Sequence, residues 1–130
     1  MPPEKDDRAY VADMLSFARE VVDNFTPGVT REMYGDVVQI RRSVERSVQL
    51  IGEAAKHVSP EFRAAHPAIP WRKIIGQRNV LVHEYGDVDD DLIWNLVVVE
   101  LPPLVVKLDK AAGLNHRELT GRSLYIGAGS

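Results

Sequence analysis

The chain has 130 residues and a formal net charge of -3, with 45% hydrophobic and 27% charged residues. These values are typical of one globular domain with a single core. The absence of cysteine excludes disulfides, a thiolate nucleophile and cysteine-ligated metal sites. The negative charge argues against a surface coated with positive charge for non-specific nucleic-acid binding, although a local basic cleft stays open.

The first residues of the sequence do not resemble a signal peptide. The first eight residues contain no apolar core of a signal peptide. No run of 18 apolar residues is present that could span a membrane. We therefore expect a cytoplasmic protein that does not act at a membrane.

Apolar residues recur with helical spacing along nearly the whole chain. Asp6 or Asp7 caps a first helix, which ends at Thr26-Pro27-Gly28. A second, long helix is predicted from about Thr30 to His57. The apolar positions of the first helix are Tyr10, Met14, Phe17, Val21 and Phe25.

Three further helices are predicted in the second half. A short one follows Ser59-Pro60, and another runs from Trp71 to about Glu84, with Pro70 at its first turn. The last runs from Leu92 to about Asp109, and Pro102-Pro103 should kink or locally break it.

These elements predict an all-α fold, an up-and-down bundle of four to five helices over residues 1–110. Residues 111–130 are rich in Gly, Ser and polar residues and are predicted to form a mobile C-terminal tail. The last helix is apolar nearly all round, which indicates burial on more than one side and hence a dimer interface.

The most compact polar set is R-x4-H-x-Y, formed by Arg78, His83 and Tyr85. Arginine binds phosphate as a planar bidentate donor, and histidine transfers protons near neutral pH. His83 is therefore the candidate general acid and base for RNA cleavage, and Arg78 the phosphate ligand. The scheme requires no metal.

Helix geometry limits this interpretation. Five residues on a straight helix place Arg78 and His83 about 140° apart. They can meet only if the helix loosens near His83, for which Gly86 offers an end, or if two subunits share the site. The same spacing also fits a surface arginine, a capping histidine and a half-buried tyrosine.

Basic residues outside the motif could bind the RNA backbone. Arg42 and Arg46 lie on a polar ridge of the second helix, and Lys73 lies shortly before the motif. The alternative is a solvated face in which both arginines pair with Glu45. Trp71 and Trp94 are assigned to packing.

Metal and cofactor sites are not expected. Asp87, Asp89 and Asp91 imitate the start of a calcium loop, but Leu92 stands where that loop needs glycine. The histidines lack zinc-ligand spacing, and the chain has no Walker A or G-x-G-x-x-G segment.

Several motifs in order resemble the HepT-like toxins of the HEPN superfamily. They are the segment 51–55 (Ile-Gly-Glu-Ala-Ala), the segment 69–71 (Ile-Pro-Trp), and Arg78-Asn79 followed by Val82-His83 and Tyr85. Ile93-Trp94 and Leu101-Pro102 fit the same pattern, so the similarity covers roughly residues 6–110.

The resemblance implies a helical homodimer with two motifs facing one cleft, and metal-independent endoribonuclease activity as the toxin of a toxin–antitoxin pair. It implies that Arg78, His83 and Tyr85 are catalytic and that Asn79 supports them. It also implies a minimal nucleotidyltransferase antitoxin that silences the toxin by transferring AMP to Tyr85. Two other interpretations stay open: a non-catalytic nucleotide- or RNA-binding HEPN partner subunit, and a helical assembly domain without a nucleic-acid role.

Overall fold

The computed structural model describes residues 6–76 and 90–113, and every regular element in these two stretches is helical. The predicted all-α fold is confirmed. The motif residues Arg78, Asn79, His83 and Tyr85 lie outside the described residues, as does nearly all of the predicted tail. None of the described helices is long and apolar enough to cross a membrane.

The first helix, α1 (Asp7–Glu20), begins where the sequence predicts. Asp6 is its N-cap, and the Asp6 carboxylate accepts a hydrogen bond from the Ala9 N–H at 2.9 Å. The helix then widens into a π-helical turn, Val21–Phe25. The turn after it contains Gly28 at φ 76°, a backbone conformation that favours glycine.

The prediction of a single helix from Thr30 to His57 is wrong, because the helix is interrupted at one residue. Val37 is extended (φ -97°, ψ 103°) and separates α2 (Arg31–Asp36) from α3 (Val38–Lys56). Gly35, a poor helix former, lies next to this break. The Arg41 guanidinium donates to the Gly35 carbonyl and so pairs an acceptor in the last turn of α2.

The connection after α3 forms a short helix, α4 (Pro60–Ala65). Ser59 caps it, because its hydroxyl accepts a hydrogen bond from the Phe62 N–H at 3.2 Å. Residues 71–76 are helical again and are labelled α5. The predicted starts of these two helices are confirmed.

The last helix contains a second π-helical turn. It consists of α6 (Asp90–Asn95), the turn Leu96–Glu100 and α7 (Leu101–Ala111). The Leu101 N–H donates to the Leu96 carbonyl, five residues back. Pro102 and Pro103 lack the N–H groups that continue an α-helical ladder, and here the helix widens before them instead of breaking.

Helix α1 lies between α3 and α7 and contacts both. Its first turn lies beside the end of α3, where Tyr10 stacks on His57 with ring centroids 5.1 Å apart. Its π-helical turn contacts the π-helical turn before α7. Helix α1 is therefore antiparallel to both neighbours. The largest fully buried side chains are Tyr34, Met14, Leu101, Leu108, Val11, Val21, Val44, Val58 and Val97.

Candidate active site

The proposed catalytic motif is flanked by two described elements, α5 before it and α6 after it. The chain is described up to Gly76 and again from Asp90. The structure therefore shows what holds the two ends of the motif segment, and these ends are built from different kinds of contact.

The flank before the motif is anchored through Trp71. This tryptophan is buried, and its indole N–H donates to the His66 carbonyl at 3.0 Å. Phe62 of α4 meets the same ring edge-on, with centroids 6.4 Å apart. Ile74, one turn later, is also buried. The start of α5 is thus fixed to the core by an aromatic cluster, as the assignment of Trp71 to packing predicts.

The flank after the motif is held by α2. The Arg31 guanidinium bonds to the Asp91 carboxylate at 2.7 Å, and Tyr34 packs on Trp94 with centroids 5.5 Å apart. Ile93 inserts into the core. This role of α2 could not be predicted from the sequence, because the contacts join residues about sixty positions apart.

An ion pair joins the two flanks directly. Lys73 on α5 pairs with Glu100 in the second π-helical turn. Beneath this pair is a small apolar cavity of about 30 Å³. The positive charge of Lys73 is therefore matched by a carboxylate, which lowers its capacity to attract phosphate.

Arg42 and Arg46 lie together on the exposed face of α3. They point away from the buried positions Val48 and Ile51, which line the cavity beneath Lys73. The structure therefore keeps the two arginines together and does not bring Lys73 onto their ridge. It leaves both arginines facing solvent.

Glu45 lies between these arginines in sequence and is partly buried. Burial raises the pKa of the Glu45 carboxyl, and the nearby Asp90 carboxylate raises it further, while Arg41 and Arg42 lower it. Asp90 is the first residue of α6. The acidic charge at the start of α6 thus acts on the same region of α3 as the arginine ridge.

A concave surface that the sequence analysis did not single out lies beside α5. It is a groove of about 550 Å³ lined by Arg63, Trp71, Arg72, Ile75 and Gly76. Arg63 and Arg72 are separated by a helix end and a turn, so their spacing alone gives no sign that they meet. The only sequence signal is the density of basic residues between Lys56 and Lys73.

Comparison with known proteins identifies the family. The family described as "Ribonuclease HepT-like" matches residues 15–111. The chain is 33% identical over 101 residues to "Probable ribonuclease HepT" of Thermococcus cleftensis, which covers 78% of this chain and 91% of that protein. No solved structure matches it significantly.

Other relatives carry similar names. "Putative RNase MJ1380" of Methanocaldococcus jannaschii is 32% identical over 101 residues, covering 78% of this chain and 92% of the relative. "Putative RNase TTE0752" of Caldanaerobacter subterraneus subsp. tengcongensis is 33% identical over 100 residues, covering 77% and 88%. With the family matched across its helical core, this chain belongs to the HepT-like ribonuclease family.

Proposed function

We propose that this protein is a metal-independent endoribonuclease and the toxin of a type VII-like toxin–antitoxin system. The observation that carries the proposal is the intact R-x4-H-x-Y set of Arg78, His83 and Tyr85 inside the matched family region. The two anchored flanks support it. An active site needs its ends held rigidly, and α5 and α6 are each packed into the core.

In the proposed reaction His83 accepts the proton of an RNA 2′-hydroxyl while the 2′-oxygen bonds to the adjacent phosphorus. The bond from phosphorus to the 5′-oxygen breaks, and a protonated imidazole returns a proton to that oxygen. Arg78 holds the phosphate and stabilises the charge that develops on it. Asn79 supports this set, and Tyr85 completes it.

The active form is proposed to be a homodimer that pairs through the outer face of the last helix. An outer helix face is normally polar, but between Leu92 and Val106 every exposed side chain is uncharged. These side chains are Leu92, Asn95, Val98, Val99, Pro102, Pro103 and Val106, and the exposed charges Asp91, Lys107 and Lys110 lie at the two ends of the helix. Val99 is 58% exposed and Val106 55%. A two-fold interface places a surface against itself, so a face without charge avoids like-charge repulsion.

Silencing is proposed to occur at Tyr85. A nucleotidyltransferase antitoxin would transfer AMP from ATP to the tyrosine oxygen, with pyrophosphate as the leaving group. The phosphate ester adds negative charge and bulk close in sequence to Arg78, where it competes with an RNA phosphate.

Arg42 and Arg46 are proposed to bind RNA phosphates, because they are exposed and adjacent on α3. Lys73 is proposed as a weaker contributor, since Glu100 already matches its charge. No cofactor is required for this reaction.

Cleavage of total RNA by the purified full chain in EDTA tests the proposal. We expect the wild type to cut, His83→Ala to be inactive, and both to share one thermal unfolding midpoint. His57→Ala is the matched control, because His57 is an exposed histidine at the end of α3. Cutting by His83→Ala would overturn the mechanism. Inactivity of a wild type free of AMP would favour a non-catalytic RNA-binding subunit.

A further inference from the structure

The groove beside α5 combines two arginines with an apolar wall. Arg63, Trp71, Arg72, Ile75 and Gly76 line a volume of about 550 Å³, which is within the size range of pockets that bind one small ligand. It lies on the last described helical turn before the proposed catalytic motif. A ligand in this groove would therefore lie on the side of the molecule from which the motif segment starts.

Arg63 is held in place by the end of α3. Its Nη2 donates to the Ala55 carbonyl at 3.2 Å and to the Lys56 carbonyl at 3.0 Å. These are carbonyls of the last helical turn, where the helix dipole is negative and attracts a cation. The guanidinium is thus ordered before any ligand arrives, which lowers the entropy cost of binding.

Arg63 also has an unused donor. Its Nε is buried and finds no acceptor among the described residues. A phosphate in the groove cannot reach this enclosed nitrogen, so the contact available to a ligand is the rest of the Arg63 guanidinium, which carries the positive charge and lines the groove.

The rest of the groove leaves room for an extended backbone. Arg72 is exposed, while Trp71 forms a wall that the hydrogen bond to His66 keeps in place. Among the described residues, apart from those of its own helical turn, no heavy atom lies within 4 Å of an ideal Cβ at Gly76. The groove is therefore open at Gly76 and rigid at Trp71.

The segment 54–76 has a net positive charge, whereas the whole protein has a net negative charge. Residues 54–76 contain Lys56, Arg63, Arg72 and Lys73 but only one carboxylate, Glu61, in a chain whose net charge is -3. Glu100 pairs with Lys73, and none of the described lining residues of the groove is acidic. Arg63 and Arg72 therefore supply the positive charge among the described lining residues of the groove.

We infer that this groove binds the sugar–phosphate backbone of single-stranded RNA next to the cleavage site. Arg63 and Arg72 contact neighbouring phosphates, and Trp71 with Ile75 excludes water from one side. Trp71 is too buried to stack on a base, so binding does not depend on base sequence. The inference rests on the proposed function, because it names where the substrate of that reaction lies.

Binding of an RNA analogue that resists cleavage tests the inference. The probe is a short fluorescein-labelled oligouridine with 2′-O-methyl groups, followed by fluorescence anisotropy with the full chain at several KCl concentrations. We expect Arg72→Gln to raise Kd several-fold and to reduce the salt slope by about 0.7, the value for one lost phosphate contact on a single strand. Arg72→Gln should weaken binding of an oligoadenosine probe by the same factor, because a lost phosphate contact affects all sequences alike.

Two controls locate the effect. Arg8→Gln also removes one positive charge. Arg8 belongs to α1, and its exposed side chain lies near Gly113, after the end of α7, so this variant should leave Kd unchanged. The protein contains two tryptophans, so Trp94→Phe leaves Trp71 as its single indole. The oligonucleotide should leave the fluorescence intensity of that buried indole unchanged, whereas quenching would show that a base stacks on Trp71 and would contradict binding through the backbone alone.

The outcomes separate this inference from the proposed function. If the wild type binds and cleaves RNA while Arg72→Gln keeps the same Kd and salt slope, the groove is not the backbone site and the endoribonuclease proposal stands. If the wild type binds through the groove but does not cleave, the groove is supported and the catalytic proposal fails. A wild type that neither binds nor cleaves overturns both.

Discussion

The Asp7 carboxylate binds Ser59 twice across 52 positions of sequence. It accepts hydrogen bonds from the Ser59 N–H at 2.8 Å and from the Ser59 hydroxyl at 2.7 Å. Ser59 in turn caps α4. One carboxylate in the first turn of α1 therefore fixes the entry to α4, the helix that carries Arg63.

Asp7→Ala should lower the free energy of unfolding by about 1 kcal/mol, the size of a lost charge-assisted hydrogen bond at a solvated site. Urea denaturation measures it. Asp23→Ala, an exposed aspartate in the first π-helical turn, is the matched control and should be neutral. Equal stability of Asp7→Ala and the wild type would show that the two bonds contribute nothing.

The effect of Asp7 should also depend on pH. The hydrogen bonds from Ser59 lower the pKa of Asp7 below its ordinary value of 3.8. A group whose pKa is lowered in the folded state stabilises it fully above the unfolded pKa, and loses that effect as the pH falls through the folded pKa. The difference between the wild type and Asp7→Ala should therefore be constant at neutral pH and shrink below about pH 4.

Removal of the buried Tyr34 hydroxyl should not lower the stability of the fold, in contrast to removal of the Asp7 carboxylate. Its side chain is fully buried, and its hydroxyl has no hydrogen-bond partner among the described residues. Burial raises the pKa of Tyr34, with a further contribution from the negative charge of Glu45. Tyr34→Phe should leave stability unchanged or slightly higher, since it removes an unsatisfied polar group.

Tyr34→Ala supplies the contrast, because it removes the ring that packs on Trp94. It should cost about 3–5 kcal/mol, as deletion of a core aromatic does. Thermal unfolding of the three proteins measures both changes. A loss above about 1 kcal/mol for Tyr34→Phe would mean that the hydroxyl has a partner outside the described residues.

The proposed dimer predicts a specific effect at Val99. Val99→Glu places a charge against its own copy across the two-fold axis, and we expect it to convert the dimer into a monomer of 14.6 kDa. Light scattering after size exclusion gives the mass. Met33→Glu, at an apolar side chain on α2 that is 40% exposed, should remain dimeric. A monomeric wild type would contradict the interface.

Tyr85→Phe should abolish modification by a cognate nucleotidyltransferase. Incubation with ATP and the antitoxin should add one AMP group, about 330 Da, to the wild type and nothing to the variant. Intact-mass spectrometry measures the adduct, and Tyr10→Phe, at a tyrosine of α1, serves as the control. An adduct on Tyr85→Phe would place the modification elsewhere.

The sequence predicted most helix starts, because these depend on local chemistry. Asp6, Ser59 and Pro70 are capping or first-turn residues, and the helices begin beside them. The break at Val37 was missed, since Met33, Val37 and Ile40 continue an apolar spacing that favours one long helix. In the structure, a contact from Arg41 back to the Gly35 carbonyl accompanies the end of α2.

The candidate site was less predictable than the helices. The motif is visible as a spacing, but the groove of Arg63 and Arg72 exists only because α4 and α5 meet around Trp71. Likewise, Lys73 was predicted as a possible phosphate ligand, but Glu100, 27 positions later, pairs with it. Such relationships depend on tertiary packing, which spacing along the chain does not encode.

The π-helical turn Leu96–Glu100 gives the last helix an unusual tolerance to change in length. A π-helical turn accommodates one residue more than an α-helical turn over the same rise. Losing one residue there would restore ordinary α-helix and keep Ile93 and Leu104 on the core side. The same deletion within α7 would rotate the rest of that helix by about 100°, so over the course of evolution shortening is expected in the π-helical turn and not in α7.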